Sequence, residues 1–184
     1  RILFCKRHQC LEEILVNEGS MAYLWQQKAM PLFKMRKYEA GMVFLDKAVK
    51  YDERRWLDYR AFIKCIFVKS YKDAIVDFEK CKTLFGNSYV MDHSYDFHIA
   101  LSYLQLNEFE KAEKIFKKDT DDQKERLGEE HHLDLFYYGI SLYEQNKFKE
   151  SIEIFNRALM QYPNFSDVKF YKAIAMIREG QPRE

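Results

Sequence analysis

The chain is written in one recurring pattern. Residues 131–164, HHLDLFYYGISLYEQNKFKESIEIFNRALMQYPN, hold two amphipathic stretches, a polar break and a closing proline. With His132 as position 1, Leu135 falls at 4, Tyr138 at 7, Gly139 at 8, Leu142 at 11 and Phe148 at 17. Ser151 then falls at 20, Phe155 at 24, Ala158 at 27 and Pro163 at 32. Steps of three and four place these residues on one face of a helix. Gln145-Asn146-Lys147 is polar and able to turn the chain between the two helices.

The same spacing recurs along the chain. From His93, Ala100 is position 8, Tyr103 is 11, Phe109 is 17, Ala112 is 20 and Phe116 is 24. From Arg55, Cys65 is 11, Tyr71 is 17, Ala74 is 20, Phe78 is 24 and Cys81 is 27. From Ala22, Trp25 is 4, Ala29 is 8, Tyr38 is 17, Gly41 is 20 and Ala48 is 27. A last copy from Ser166 supplies a first helix only, with Ala173 at 8 and Met176 at 11.

Composition fits an ordered helical domain. The 184 residues suffice for a core, and 47% are hydrophobic, which argues against disorder. Six glycines and three prolines are too few for the many tight turns of an all-β fold. A net charge of +1 disfavours a nucleic-acid binder, which needs a basic face. No apolar run is long enough to span a bilayer. Cys5, Cys10, Cys65 and Cys81 form no CxxC pair and read as small buried apolar residues in a reducing, by default cytoplasmic, compartment. A signal peptide or lipid anchor ahead of Arg1 would instead make the protein exported or lipid-anchored.

The pattern resembles the tetratricopeptide repeat (TPR) family, whose unit is a helix-turn-helix of 34 residues. The resemblance covers residues 22 to about 180 and implies an all-α, right-handed superhelical solenoid. Small residues at positions 8 and 20 let the paired helices approach, and large ones at 4, 7, 11, 17 and 24 fill the surrounding space. The expected division is a partial preceding repeat at 1–21, units at 22–54, 55–92, 93–131 and 132–165, and a further first helix or cap at 166–184. Residues 5–16 would be a second helix whose partner is cut off.

Several positions depart from the family pattern. Phe62 stands at position 8, with Ala61 beside it, and Asp58 and Asp96 stand at position 4. Pro31, mid-helix, removes a hydrogen bond at a cost of roughly 3 kcal/mol and predicts a bend around Met30-Pro31. Two units are long, by four and five residues. The turn Gly86-Asn87-Ser88 accounts for the first excess. A lengthened helix over Lys114–Arg126, ended by Leu127-Gly128, accounts for the second.

In such a stack, positions 5, 9 and 12 of the first helices share the concave face. They supply Tyr59, Ile63, Phe97, Leu101, Phe136, Ile140, Tyr143 and Phe170, with His98 and Tyr137 as polar accents. Either this ladder is interhelix core, or it lines an apolar groove for a peptide, a partner helix or a terminus of the protein itself. The aromatic and aliphatic residues at 5 and 9 lack the Lys and Asn with which chaperone-binding TPRs hold a terminal carboxylate.

Four of the five histidines open two first helices, in Asp92-His93-Ser94-Tyr95-Asp96-Phe97-His98 and Glu129-Glu130-His131-His132-Leu133-Asp134. Two readings stand. His93 or His98 approaching His132, beside Asp96 or Asp134, would make a His/carboxylate metal site. Otherwise Asp92 or Ser94 and Asp134 cap the helices, which is the preferred reading because no HExxH or CxxC pattern supports a metal. No Gly-rich phosphate loop or GxSxG motif is present, so neither a catalytic residue nor a cofactor is expected. The function expected is a protein-interaction scaffold that takes a protein or peptide in its groove. The alternative is a structural module whose copies stack end to end, and a metal-dependent enzyme using the histidines comes last.

Overall fold

The computed structural model describes residues 22–180. The truncated helix expected within residues 1–21 lies outside the described residues, together with Cys5 and Cys10. Described residues up to Gly86 form one compact unit and those from Asn87 onward form a second.

The first unit contains α1 (Ala22–Lys34), α2 (Tyr38–Tyr51), α3 (Glu53–Ile63), a π-helical turn (Lys64–Val68) and α4 (Tyr71–Phe85). Its core gathers Ala29, Phe33, Leu45, Ala48 and Ile63, with Trp25, Phe44, Tyr59 and Phe62 packed around them. The second unit opens on a hairpin of β1 (Tyr89–Val90) and β2 (His93–Ser94). It continues with α5 (Tyr95–Gln105), α6 (Phe109–Leu127), α7 (His132–Glu144), α8 (Phe148–Gln161) and α9 (Ser166–Arg178). The architecture is all-α, a helical repeat of the solenoid class, with one two-stranded ribbon.

Consecutive helices pack because narrow residues meet between them. A Cβ on Gly139 would lie 2.4 Å from the Phe155 ring, and Ser151 Oγ donates to the Gly139 carbonyl at 2.9 Å. A Cβ on Gly41 would likewise meet Phe33 at 2.4 Å. Ala100 and Ala112 are both fully buried in the equivalent pair. The turns between paired helices also repeat. Lys37 N–H bonds Leu32 O, Glu108 N–H bonds Tyr103 O, and Lys147 N–H bonds Leu142 O, at 2.9, 2.9 and 3.0 Å. The residue before each donor, Arg36, Asn107 or Asn146, is left-handed. This is the Schellman closure of a helix C-terminus.

The turn after α3 is one residue wider. There Lys69 is the left-handed residue, and Ser70 N–H reaches back to Lys64 O at 3.0 Å. The reason lies in α3. Leu57 and Ala61 are fully buried, while Asp58 and Phe62, one position later, are only partly covered. The inward face of α3 is thus set one residue early, and the π turn takes up the difference before α4. Ala61, rather than Phe62, makes the close contact. Pro31 does not break α1, which stays helical to Lys34, where Met35 N–H bonds Pro31 O at 3.1 Å.

The two length excesses take different forms. α6 runs 19 residues and stops at Gly128, whose φ is +80°. The region of Gly86-Asn87-Ser88 does more than turn. It leads into the hairpin, with Tyr89 opposite Ser94 and Val90 opposite His93. Met91 and Asp92 form the tip with φ of 49° and 70°, the signature of a type I′ turn.

Candidate functional site

The hairpin and the extension of α6 meet at the start of α7, and together they build a buried polar centre. Asp96, Ser94, Asp119, Gln123 and Asp134 are all buried. Ser94 caps α5, accepting from Phe97 N–H, and donates through the same oxygen to Asp119 Oδ1 at 2.7 Å. Gln123 donates to Asp119 Oδ2 at 3.1 Å and to Asp134 Oδ2 at 2.6 Å, and its own oxygen accepts from His131 N–H at 3.0 Å. His131 Nδ1 lies 3.2 Å from Asp134 Oδ1. His93 Nδ1 lies 2.8 Å from that same oxygen but without hydrogen-bond alignment.

The electrostatics follow from this arrangement. Burial alone would raise the Asp134 carboxyl. The hydrogen bonds from His131 and Gln123, together with the charge interaction with His93, overcome it and hold the group down at about 2. His131 is raised in turn, chiefly by its hydrogen bond to Asp134. Burial pushes Asp119 up to about 6, with Asp134 and Asp96 adding repulsion against the Ser94 and Gln123 bonds. Burial also drives His98 down to about 4.

These contacts revise the expectation for the histidines. His131, not His132, faces His93, with ring centroids 5.0 Å apart. His132 instead packs on Tyr162 and Phe165. His98 turns to the Val90 carbonyl at 3.2 Å. Asp134 sits in the first turn of α7 but serves the imidazoles, and Asp92 lies at the hairpin tip, away from any capping position. Sequence spacing could not show which histidine turns inward, because that depends on where α7 begins.

The ladder expected to be concave divides by accessibility within each unit. In the first unit Ile63 is core, while Tyr59 is half-buried and its hydroxyl lies 3.1 Å from Met30 Sδ. Burial raises the Tyr59 phenol. In the second unit Phe97 is 2% exposed, His98 1%, Leu101 8% and Phe136 9%. Tyr137, Ile140 and Tyr143 keep part of their surface accessible, and Phe170 is 61% exposed. A cleft of about 330 Å³ opens between α5, α7 and α9, lined by Leu104, Phe109, Tyr137, Ile140, Glu144 and Tyr171 among others. Tyr171, rather than its neighbour Phe170, forms the α9 wall. Among the described residues, no helix is long and apolar enough to cross a membrane.

Nesting helix pairs, closed by the same turn and carrying an aromatic cleft, define a helical-repeat protein whose usual role is to bind other proteins. Two tetratricopeptide-repeat models match the chain, over residues 132–165 and 97–118. No curated protein matches it by sequence. Among solved structures it is similar to YrrB, described as a TPR protein with an unusual peptide-binding site. That match has TM-score 0.65 and 15% identity, over 94% of this chain and 85% of that one. A tetratricopeptide repeat protein from Parabacteroides merdae matches with TM-score 0.74 and 15% identity, over 95% of this chain and 66% of that one. MamA (AMB-1) matches with TM-score 0.63 and 16% identity, over 87% and 83%. The chain carries tetratricopeptide repeats at residues 97–118 and 132–165, and its fold is that of tetratricopeptide-repeat proteins.

Proposed function

We propose that the protein is a scaffold that holds a peptide or a partner helix in the cleft between α5, α7 and α9. The observation that carries this reading is the cleft wall itself. Tyr137, Ile140 and Tyr171 present apolar surface beside Glu144 and the exposed Gln105 and Asn107, which gives one greasy strip with polar edges. A short amphipathic segment buries its apolar side chains on such a strip and orients itself through a few hydrogen bonds. Phe136 lines the cleft beside them, while Phe97, His98 and Leu101 act from behind; Phe97 packs on Tyr137 at 5.9 Å and Phe136 on Tyr171 at 5.8 Å. The protein works by binding and not by catalysis.

Peptides selected from a random library on the immobilised protein test this. They should be rich in apolar residues and should lose at least tenfold in affinity for Ile140→Glu, while far-UV circular dichroism stays helical. Binding that is indifferent to Ile140→Glu would exclude the cleft. A second reading, stacking of copies, has one observation behind it: Phe170, Ala173 and Ile177 share an exposed face of α9. Light scattering over a concentration series, with Phe170→Glu as control, decides it.

A further inference from the structure

We propose that His93, His131 and Asp134 form a binding site for a divalent transition-metal ion of the zinc class, closing the hairpin onto the start of α7. One nitrogen from each imidazole and one carboxylate oxygen all lie within 4.8 Å of one another. Two imidazoles and a carboxylate are the ligand set of a zinc centre with three protein ligands and a fourth position for water.

Four features of the surroundings support the site. First, both imidazoles bring Nδ1 to one oxygen of Asp134, at 2.8 and 3.2 Å, yet His93 is not aligned to donate to it. The buried His93 nitrogen is thus left without a hydrogen-bond partner beside a carboxylate oxygen that His131 also faces, an arrangement that a shared cation would satisfy. Second, the ligands are held by an outer shell. Gln123 takes Asp134 Oδ2, which leaves Oδ1 for the imidazoles, and fixes the His131 backbone with its own oxygen. Third, the His93 ring is stacked on Phe97 at 4.1 Å between centroids, which sets its direction. Fourth, a cleft of about 270 Å³ lined by Gln123, Glu129, Glu130, His131, His132 and Gln161 reaches the site from solvent. It provides the entry path and the water for the open position. Asp134 is ionised across the physiological range, as a ligand must be.

The origin of the site gives the argument independent weight. His93 belongs to the hairpin, and Gln123 to the extension of α6. Both are the extra lengths that depart from a 34-residue period. The two additions converge on one carboxylate, so the departures have a common product. The bound ion would link β2, the α6–α7 loop and α7, making the second unit more stable when metal is present.

Calorimetric titration of Zn²⁺ into chelator-treated full chain tests the assignment. One ion per chain is expected, with a rise in thermal midpoint. His131→Ala, which removes a side chain that is 43% exposed, should weaken binding at least tenfold while far-UV circular dichroism stays helical. Gln123→Leu should weaken it tenfold to a hundredfold. His132→Ala should bind as the wild type does. Cobalt(II) bound at the site should show visible d–d absorption that His131→Ala abolishes. Absence of Zn²⁺ binding by the folded wild type, or equal binding by His131→Ala and His132→Ala, overturns the proposal.

Discussion

Arg60 holds Asp77 through two parallel hydrogen bonds, Nε to Oδ2 and Nη2 to Oδ1, each 2.8 Å long. The same guanidinium reaches Asp46 at 3.0 Å, and Lys64 joins Asp77 at 2.8 Å, so one fork ties α2, α3 and α4 together. Asp77 is buried, and removing it takes the carboxylate from Lys64 and leaves Arg60 only the more exposed Asp46. Asp77→Ala should therefore lower unfolding free energy by about 3 kcal/mol, read from urea titration of the tryptophan fluorescence of Trp25 and Trp56.

Gly139 is set against the fully buried Phe155 ring. Alanine is the better helix former by about 1 kcal/mol, which predicts a gain if packing had slack. The 2.4 Å approach means it has none, and overpacking costs about 1–3 kcal/mol. Gly139→Ala should therefore destabilise the protein, and Phe155→Leu in the same chain should recover part of the loss. Thermal midpoints of the single and double variants measure this.

His98 sets an acid limit on stability. Burial lowers its pKa from 6.5 to about 4, partly offset by the Val90 carbonyl, with His93 adding repulsion. The unfolded chain takes up a proton that the folded chain refuses. This contribution is therefore whole above pH 6.5 and is lost as pH falls toward 4, by on the order of 3 kcal/mol at most. The stability difference between wild type and His98→Gln should shrink over that interval. A difference constant with pH would mean the ring is not held neutral.

The hairpin tip places Met91 and Asp92 in the left-handed region, which Asp tolerates and Met does not favour. Replacing the pair by Asn-Gly suits a type I′ turn and should stabilise the second unit by about 0.5–1 kcal/mol. Hydrogen exchange at Tyr95, whose N–H bonds the Ser88 carbonyl at the open end of the ribbon, should slow accordingly.

The helix pairs were legible in the sequence because their signal is a packing requirement. Gly139 with Ser151, and Ala100 with Ala112, are fully covered where helices pair, and a Cβ on Gly139 already meets the Phe155 ring. The lengthened α6 was legible too, since Leu127-Gly128 ends it. The offset in α3 was hidden because Ala61 and Phe62 are adjacent, and only the π turn shows which one faces inward. The hairpin gave no Asn-Gly or Asp-Gly signal, so Asp92 read as a candidate helix cap. The partnership of His93 with His131 depends on two insertions folding toward each other, which spacing along the chain does not encode.

The wide turn at Lys64–Val68 has a consequence for how such arrays change over time. A residue added to a first helix would ordinarily rotate everything after it by about a quarter turn, turning the inner face of the next helix outward. Here the extra residue is absorbed within a single coil, and Ala74 and Phe78 of the following helix still reach the interior. Single-residue insertions and deletions can therefore be accepted one unit at a time, each compensated locally.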